Sequence, residues 1–334
     1  MLKTDMKQAP LQLSSATALE QGAQGRPGLG IAADFRAATQ VQARAWGWLP
    51  ELSLTMALGL LLVAATNYGA YVAAEWATPL FWLGLMLILL PAVYRLAAAE
   101  VARSERIGVL LLLVAGLYTV KLMHSPFTFT FADEFVHTYN AEMTLATNHL
   151  FNPNSILRVT AYYPGLAAVT AALADVSGLP VMAAAAVLIG AARLVLVLAI
   201  FLLFEQVSGS PRVAGLGATL FMGQPSFLYW SAQFAYESLA FPLMVSAVFL
   251  AARSVAARRR INFWRYTVLG LIVIGGVTTI HHLSSYALAL FLLVWSVLEH
   301  TQLHARGAGG LERVFGRWQL GRRVGTESSL RPTV

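Results

Sequence analysis

Long apolar runs separated by short polar breaks dominate this chain. They fall at 52–74, 79–99, 107–123, 181–204, 213–230, 239–252, 266–280 and 283–298. The runs are continuous and do not alternate, so they predict membrane-spanning helices and not the walls of a barrel. Several are shorter than the roughly 17–25 residues of a comfortable span, which leaves about eight helices with soft boundaries. An Ala-rich run at 164–179 is a doubtful ninth. It carries Asp175 and breaks at Ser177-Gly178-Leu179-Pro180, a pattern that suits a helix lying in the interface.

Composition agrees with the pattern. The chain is 57% hydrophobic and 12% charged, with a mean hydropathy of +0.64, well beyond a soluble domain. The expected fold is an all-α, polytopic transmembrane bundle whose outer loop carries interfacial amphipathic helices. The absence of cysteine excludes disulfides and thiolate metal sites. Residues 1–50 are rich in Ala, Gln, Gly and Ser and hold no apolar core of a signal peptide, so they read as a disordered cytoplasmic tail. Residues 51–300 form the membrane domain, with an outer loop at 124–180, and 301–334 form a basic cytoplasmic tail.

Charge then sets an orientation. Arg253, Arg258, Arg259, Arg260 and Arg265 make the densest basic loop, and Arg95, Arg103 and Arg106 make another. Both are cytoplasmic by the positive-inside rule only if an even number of spans separates them. That parity excludes 164–179 as a span and puts both termini in the cytoplasm of a multi-pass plasma-membrane protein. Every Lys and Arg is then cytoplasmic except Lys121 and Arg158, outside, and Arg193, in the membrane. The net charge of +7 is therefore a topology signal, and nucleic acid is not an expected partner.

The outer side gathers the reactive side chains. Asp133 and Glu134 open an amphipathic segment in which Asp133, His137 and Asn140 share one face, with Phe135, Tyr139 and Met143 on another. A capping reading stands beside the functional one, with Asp133 as N-cap and Glu134 as a first-turn charge. Glu237 starts a span after an outward turn, and His281-His282 lie in the outward hairpin of the last two spans. Glu237 alone is as readily a cap, but ionisable groups near membrane depth usually line polar cavities. Arg193 would sit about 20 Å down a straight helix, buried against a partner the sequence does not name.

Together, Asp133-Glu134 after a span, Tyr162-Tyr163-Pro164-Gly165-Leu166, Glu237 and His281-His282 resemble polyprenyl-phosphate-dependent integral-membrane glycosyltransferases. This is the GT-C fold of protein O-mannosyltransferases and lipid A aminoarabinose transferases. The resemblance implies transfer of a sugar from a polyprenyl-phosphate donor to a glycan, lipid or protein acceptor on the extracytoplasmic face. It gives Asp133 the role of the acid that activates the acceptor or helps hold a metal, pairs it with Glu134, and makes Glu237 the second acid. His137, Arg158, Tyr162, Tyr163, His281 and His282 are the candidate substrate-binding residues. A divalent ion such as Mg, Mn or Zn, held by Asp133 and Glu237, would stabilise the departing phosphate, as Arg158 or Lys121 could. Tyr162 and Tyr163 suit either sugar stacking or interfacial anchoring.

Family members usually continue through further spans, so the resemblance covers an N-terminal portion, an inactive scaffold, or a half that works with a partner membrane subunit. Two rivals remain. In a transporter or lipid-handling protein, Asp133, Glu237, Arg193 and the histidines would line a path through the bilayer. In a structural subunit the same acids would only cap helices.

Overall fold

The computed structural model describes the backbone at residues 46–125 and 128–307. Of the expected tails at 1–50 and 301–334, residues 1–45 and 308–334 lie outside the described residues, while 49–50 open the first long helix and 301–307 continue the last. The chain divides into Met1–Pro50 and Glu51–Val334. The second is the helical bundle.

The fold is all-α. Among the described residues, seven helices are long and apolar enough to cross a membrane: α1 (Leu49–Tyr71), α2 (Ala77–Ala97), α3 (Arg103–His124), α6 (Val181–Ser208), α9 (Tyr236–Val255), α10 (Arg260–Ile280) and α11 (His282–Gly307). Between them lie α4 (Ala132–Thr147), a 3-10 turn (Arg158–Tyr162), α5 (Gly165–Ser177), α7 (Pro211–Met222) and the single turn α8 (Pro225–Leu228). Large apolar side chains such as Leu54, Leu61, Ile272 and Leu290 stay exposed. An aqueous surface would not tolerate that band, whereas lipid favours it. The chain is an integral membrane protein.

Eight apolar runs and seven long helices are reconciled at 213–230. α7 stops at Met222 after 12 residues, about 18 Å of rise, because Gly223-Gln224-Pro225 follows. Pro225 offers no N–H to the helix and pushes Gln224 out of the helical region; Gln224 is extended at φ −77, ψ 138. The segment still runs from one end of the bundle to the other. α7 begins near the arginine end, where Gly215 faces Leu96 and Arg106, and by Phe234 the chain has reached α4. The eighth crossing is thus half helix, half irregular chain. The run at 164–179 forms only the 13-residue α5, too short to cross. It ends where Gly178 takes a left-handed φ of 70, a conformation glycine adopts without strain.

Close approaches fix the helix pairs. A Cβ on Gly59 would lie 2.7 Å from the Gly84 carbonyl, and one on Gly84 2.8 Å from the Gly59 carbonyl, so α1 and α2 touch backbone to backbone. Gly165 does the same against Thr279 and Ile280 at the end of α10, which seats α5 beside the His281-His282 turn.

The arginine end is internally bonded. Arg95 pairs with Glu105 at 2.7 and 2.8 Å, and Arg103 with Glu205 at 2.7 and 2.8 Å. Buried Arg106 donates to the Leu96 carbonyl and, at 2.7 Å, to that of Ala98. Residues that serve the sequence reading only as a topology signal also lock the α2–α3 turn to α6.

Candidate functional site

The opposite end is organised by Glu134. Its carboxylate is 0% exposed and accepts four hydrogen bonds. Oε1 receives Lys121 Nζ and Phe234 N–H, both at 3.0 Å. Oε2 receives the N–H groups of Thr130 at 2.9 Å and Phe131 at 3.1 Å. One side chain therefore joins α3, the start of α4 and the end of the broken crossing. Glu134, at the third position of α4, covers the N-terminal amides. Asp133, expected as the N-cap, stands exposed in the first turn, and the N-cap is Phe131.

An array of rings lies beside this clamp. His137, buried on α4, has its ring centroid 4.1 Å from that of Tyr236. Tyr236 stacks on His281 at 5.9 Å, His281 meets His282 at 5.2 Å, and His282 meets Tyr163 at 5.1 Å. Four segments far apart in sequence converge here: α4, the turn before α5, the start of α9 and the α10–α11 turn. The loop after α4 is held by Asn154, which donates to Asn140 at 2.8 Å while accepting the N–H groups of Ile156 and Leu157. That loop buries Thr160, whose hydroxyl donates to the Leu157 carbonyl at 2.8 Å.

Electrostatics tie both exposed acids to the array. Burial pushes the His137 imidazole down to about 4, opposed by the charge of Asp133 and reinforced by His281. Burial also lowers His281, opposed by Glu237 and reinforced by His282. His281 Nδ1 lies 2.9 Å from the Ser284 hydroxyl. The His137 shift has a consequence for stability. Below pH 6.5 the unfolded chain protonates this residue while the folded protein holds it neutral. Stability attributable to His137 is therefore full above pH 6.5 and falls as pH drops towards about 4. At ~1.36 kcal/mol per pH unit the loss approaches about 3 kcal/mol. Unfolding midpoints of the parent and of His137→Gln, measured from pH 7 to 4, should diverge in slope; parallel curves would show that His137 carries none of it.

The candidates separate into groups. Asp133, His137, Tyr163, Glu237, His281 and His282 belong to the converged end. Glu134 belongs there too, but fully bonded. Tyr162 is 74% exposed beside it, as interfacial anchoring requires, and Arg158 is exposed at the start of the 3-10 turn. Among the described residues no three His, Asp or Glu side chains form a metal-holding group. An ion on Asp133 and Glu237 would need most of its ligands from substrate or water.

A cavity of about 330 Å³ adjoins the array. Glu237 and Ser284 line it, and the Ser284 hydroxyl lies against His281, while Leu196, Phe221, Phe241 and Pro242 line its apolar part. One wall is the broken crossing, through Phe227, Trp230 and Ser231.

Arg193 supports that wall. It is 0% exposed, and Nη1 donates to the Phe227 carbonyl at 2.7 Å and the Ser231 hydroxyl at 2.8 Å. Its guanidinium lies 4.0 Å from the Phe227 ring centroid and 5.5 Å from that of Tyr118. The partner missing from the sequence reading is an unwound backbone carbonyl at membrane depth. Such a group needs a donor from within the protein.

Sequence reasoning missed Lys121 as the partner of Glu134, Tyr236 as the centre of the ring array, and the break at Gly223-Gln224-Pro225. Only the last carried a readable signal, its Gly-x-Pro. No family model matches the chain, and no curated protein or solved structure does either.

Proposed function

We propose that the protein transfers a sugar from a polyprenyl-phosphate donor to an acceptor at the converged end, which faces the extracytoplasmic side. The observation that carries this reading is that two acids from distant segments act on one ring array, Asp133 on His137 and Glu237 on His281, and that Glu237 also lines the cavity beside it. A structural subunit would need neither the shared array nor the cavity. A transporter is disfavoured by Arg193, whose bonds to Phe227 and Ser231 serve the wall, and by the apolar part of the lining.

In this reading the acceptor oxygen bonds to the anomeric carbon as the bond from that carbon to the phosphate oxygen breaks. The phosphate leaves with the electron pair, and the acceptor proton passes to the Asp133 carboxylate. Glu237 orients the acceptor, and exposed Arg158 and half-buried His282 offer donors to the departing phosphate. Glu134, saturated by four donors, positions the site and takes no proton.

The deciding experiment is transfer from a labelled polyprenyl-phosphate sugar in reconstituted membranes. Asp133→Asn should lose at least about a hundredfold in rate, within the usual range for a general base. Equal transfer by parent and variant would remove Asp133 from the mechanism.

A further inference from the structure

The chemistry of the cavity lining narrows what it can hold. Its apolar part, Leu196, Phe221, Phe241 and Pro242, reaches past the first turn of α9 towards membrane depth. The lining also includes Glu237 and Ser238. Ser238 is only 3% exposed, and its hydroxyl has no hydrogen-bond partner. A buried hydroxyl left unbonded is costly, so a turn of this short side chain into the cavity its residue lines would gain a ligand atom as partner. The lining contains one carboxylate and no lysine, arginine or histidine. The Glu237 side repels a phosphate and accepts an uncharged, hydroxylated group, while the Arg193 cation lies behind Phe227 and Ser231 and is not part of the lining. The volume of about 330 Å³ lies at the small end of ligand cavities, fitting one chain segment and a compact head.

We propose that this cavity binds a single-chain amphiphile with an uncharged, hydroxyl-bearing head group. The chain lies against Phe221 and Phe241, and a head-group hydroxyl is held by Ser238 and Glu237. Resting on the sugar-transfer reading, this makes the acceptor a lipid hydroxyl, and it keeps the donor phosphate outside the cavity, towards Arg158 and His282.

The test uses the full chain in phosphatidylcholine nanodiscs, without any sugar donor, and two probes that share one chain: monooleoylglycerol and oleoyl lysophosphatidate. Binding is read by native mass spectrometry across a titration. The neutral probe should bind about tenfold more tightly than the phosphate one, which meets the carboxylate. Ser238→Phe, which fills part of the cavity, should abolish binding of the neutral probe, and Glu237→Gln should erase most of the preference. Equal or tighter binding of lysophosphatidate by the parent overturns the proposal. So does retained binding by a Ser238→Phe protein with a parent-like unfolding midpoint; if that variant does not fold, an unchanged preference in Glu237→Gln overturns it instead. Because no donor is present, failure here leaves the Asp133 transfer experiment standing, and failure of transfer leaves the lipid site standing.

Discussion

Replacing Glu134 by alanine should cost about 3–5 kcal/mol, the range for breaking a buried ion pair from one side. The variant loses one carboxylate but strands four donors. Lys121, 6% exposed, is left as a buried ammonium without its acceptor, and the N–H groups of Thr130, Phe131 and Phe234 lose theirs. Desolvation of the pair weighs against it in the parent, so removing both charges should hurt less than removing one. Lys121→Met combined with Glu134→Met should therefore unfold above Glu134→Ala, though below the parent, because the backbone donors stay unsatisfied. Thermal unfolding in detergent, followed by circular dichroism, gives all three midpoints. A Glu134→Ala midpoint equal to the parent's would show that the three segments are held by other contacts. The same variant should lose sugar transfer through displacement of α4, even though Glu134 takes no proton.

How much of the fold the sequence made legible depends on the range of each interaction. Continuous apolar runs rest on local chemistry alone, so the spans were readable, with ends differing by a few residues where polar first turns such as Arg103-Ser104-Glu105 continue a helix. α5 was readable for the same reason, since Gly178-Leu179-Pro180 ends it locally. The meeting of His137 with Tyr236 and of His281 with His282 and Tyr163 was anticipated only as co-location on one side, because parity of crossings gives sides and not distances. Glu134 shows the limit most clearly. Its adjacency to Asp133 suggested a chemical pair, yet helix geometry turns neighbouring residues about 100° apart. One therefore points into the protein while the other stays exposed. Lys121 and Phe234, which decide the role of Glu134, are 13 and 100 residues away, and no periodicity reports such contacts.

Arg193 poses a question of sign, and two substitutions resolve it. Arg193→Ala should destabilise by about 3 kcal/mol, in the range of large-to-small changes that leave a void in a packed core. Arg193→Met should cost much less, because it keeps most of the volume and removes a buried cation whose Nε and Nη2 find no hydrogen-bond partner. Phe227 O retains the Ser231 hydroxyl at 2.9 Å in either case, so its carbonyl is not wholly stranded. What methionine cannot replace is the double hold on Phe227 and Ser231. Amides of 226–233 should therefore exchange hydrogen faster in Arg193→Met than in the parent, at nearly unchanged global stability. This segment is the cavity wall, so the neutral amphiphile should bind less tightly as well. If methionine proves as damaging as alanine, the polar bonds outweigh the volume and Arg193 is a principal support of the bundle. If exchange at 226–233 is unaltered, the broken crossing holds its shape without the guanidinium.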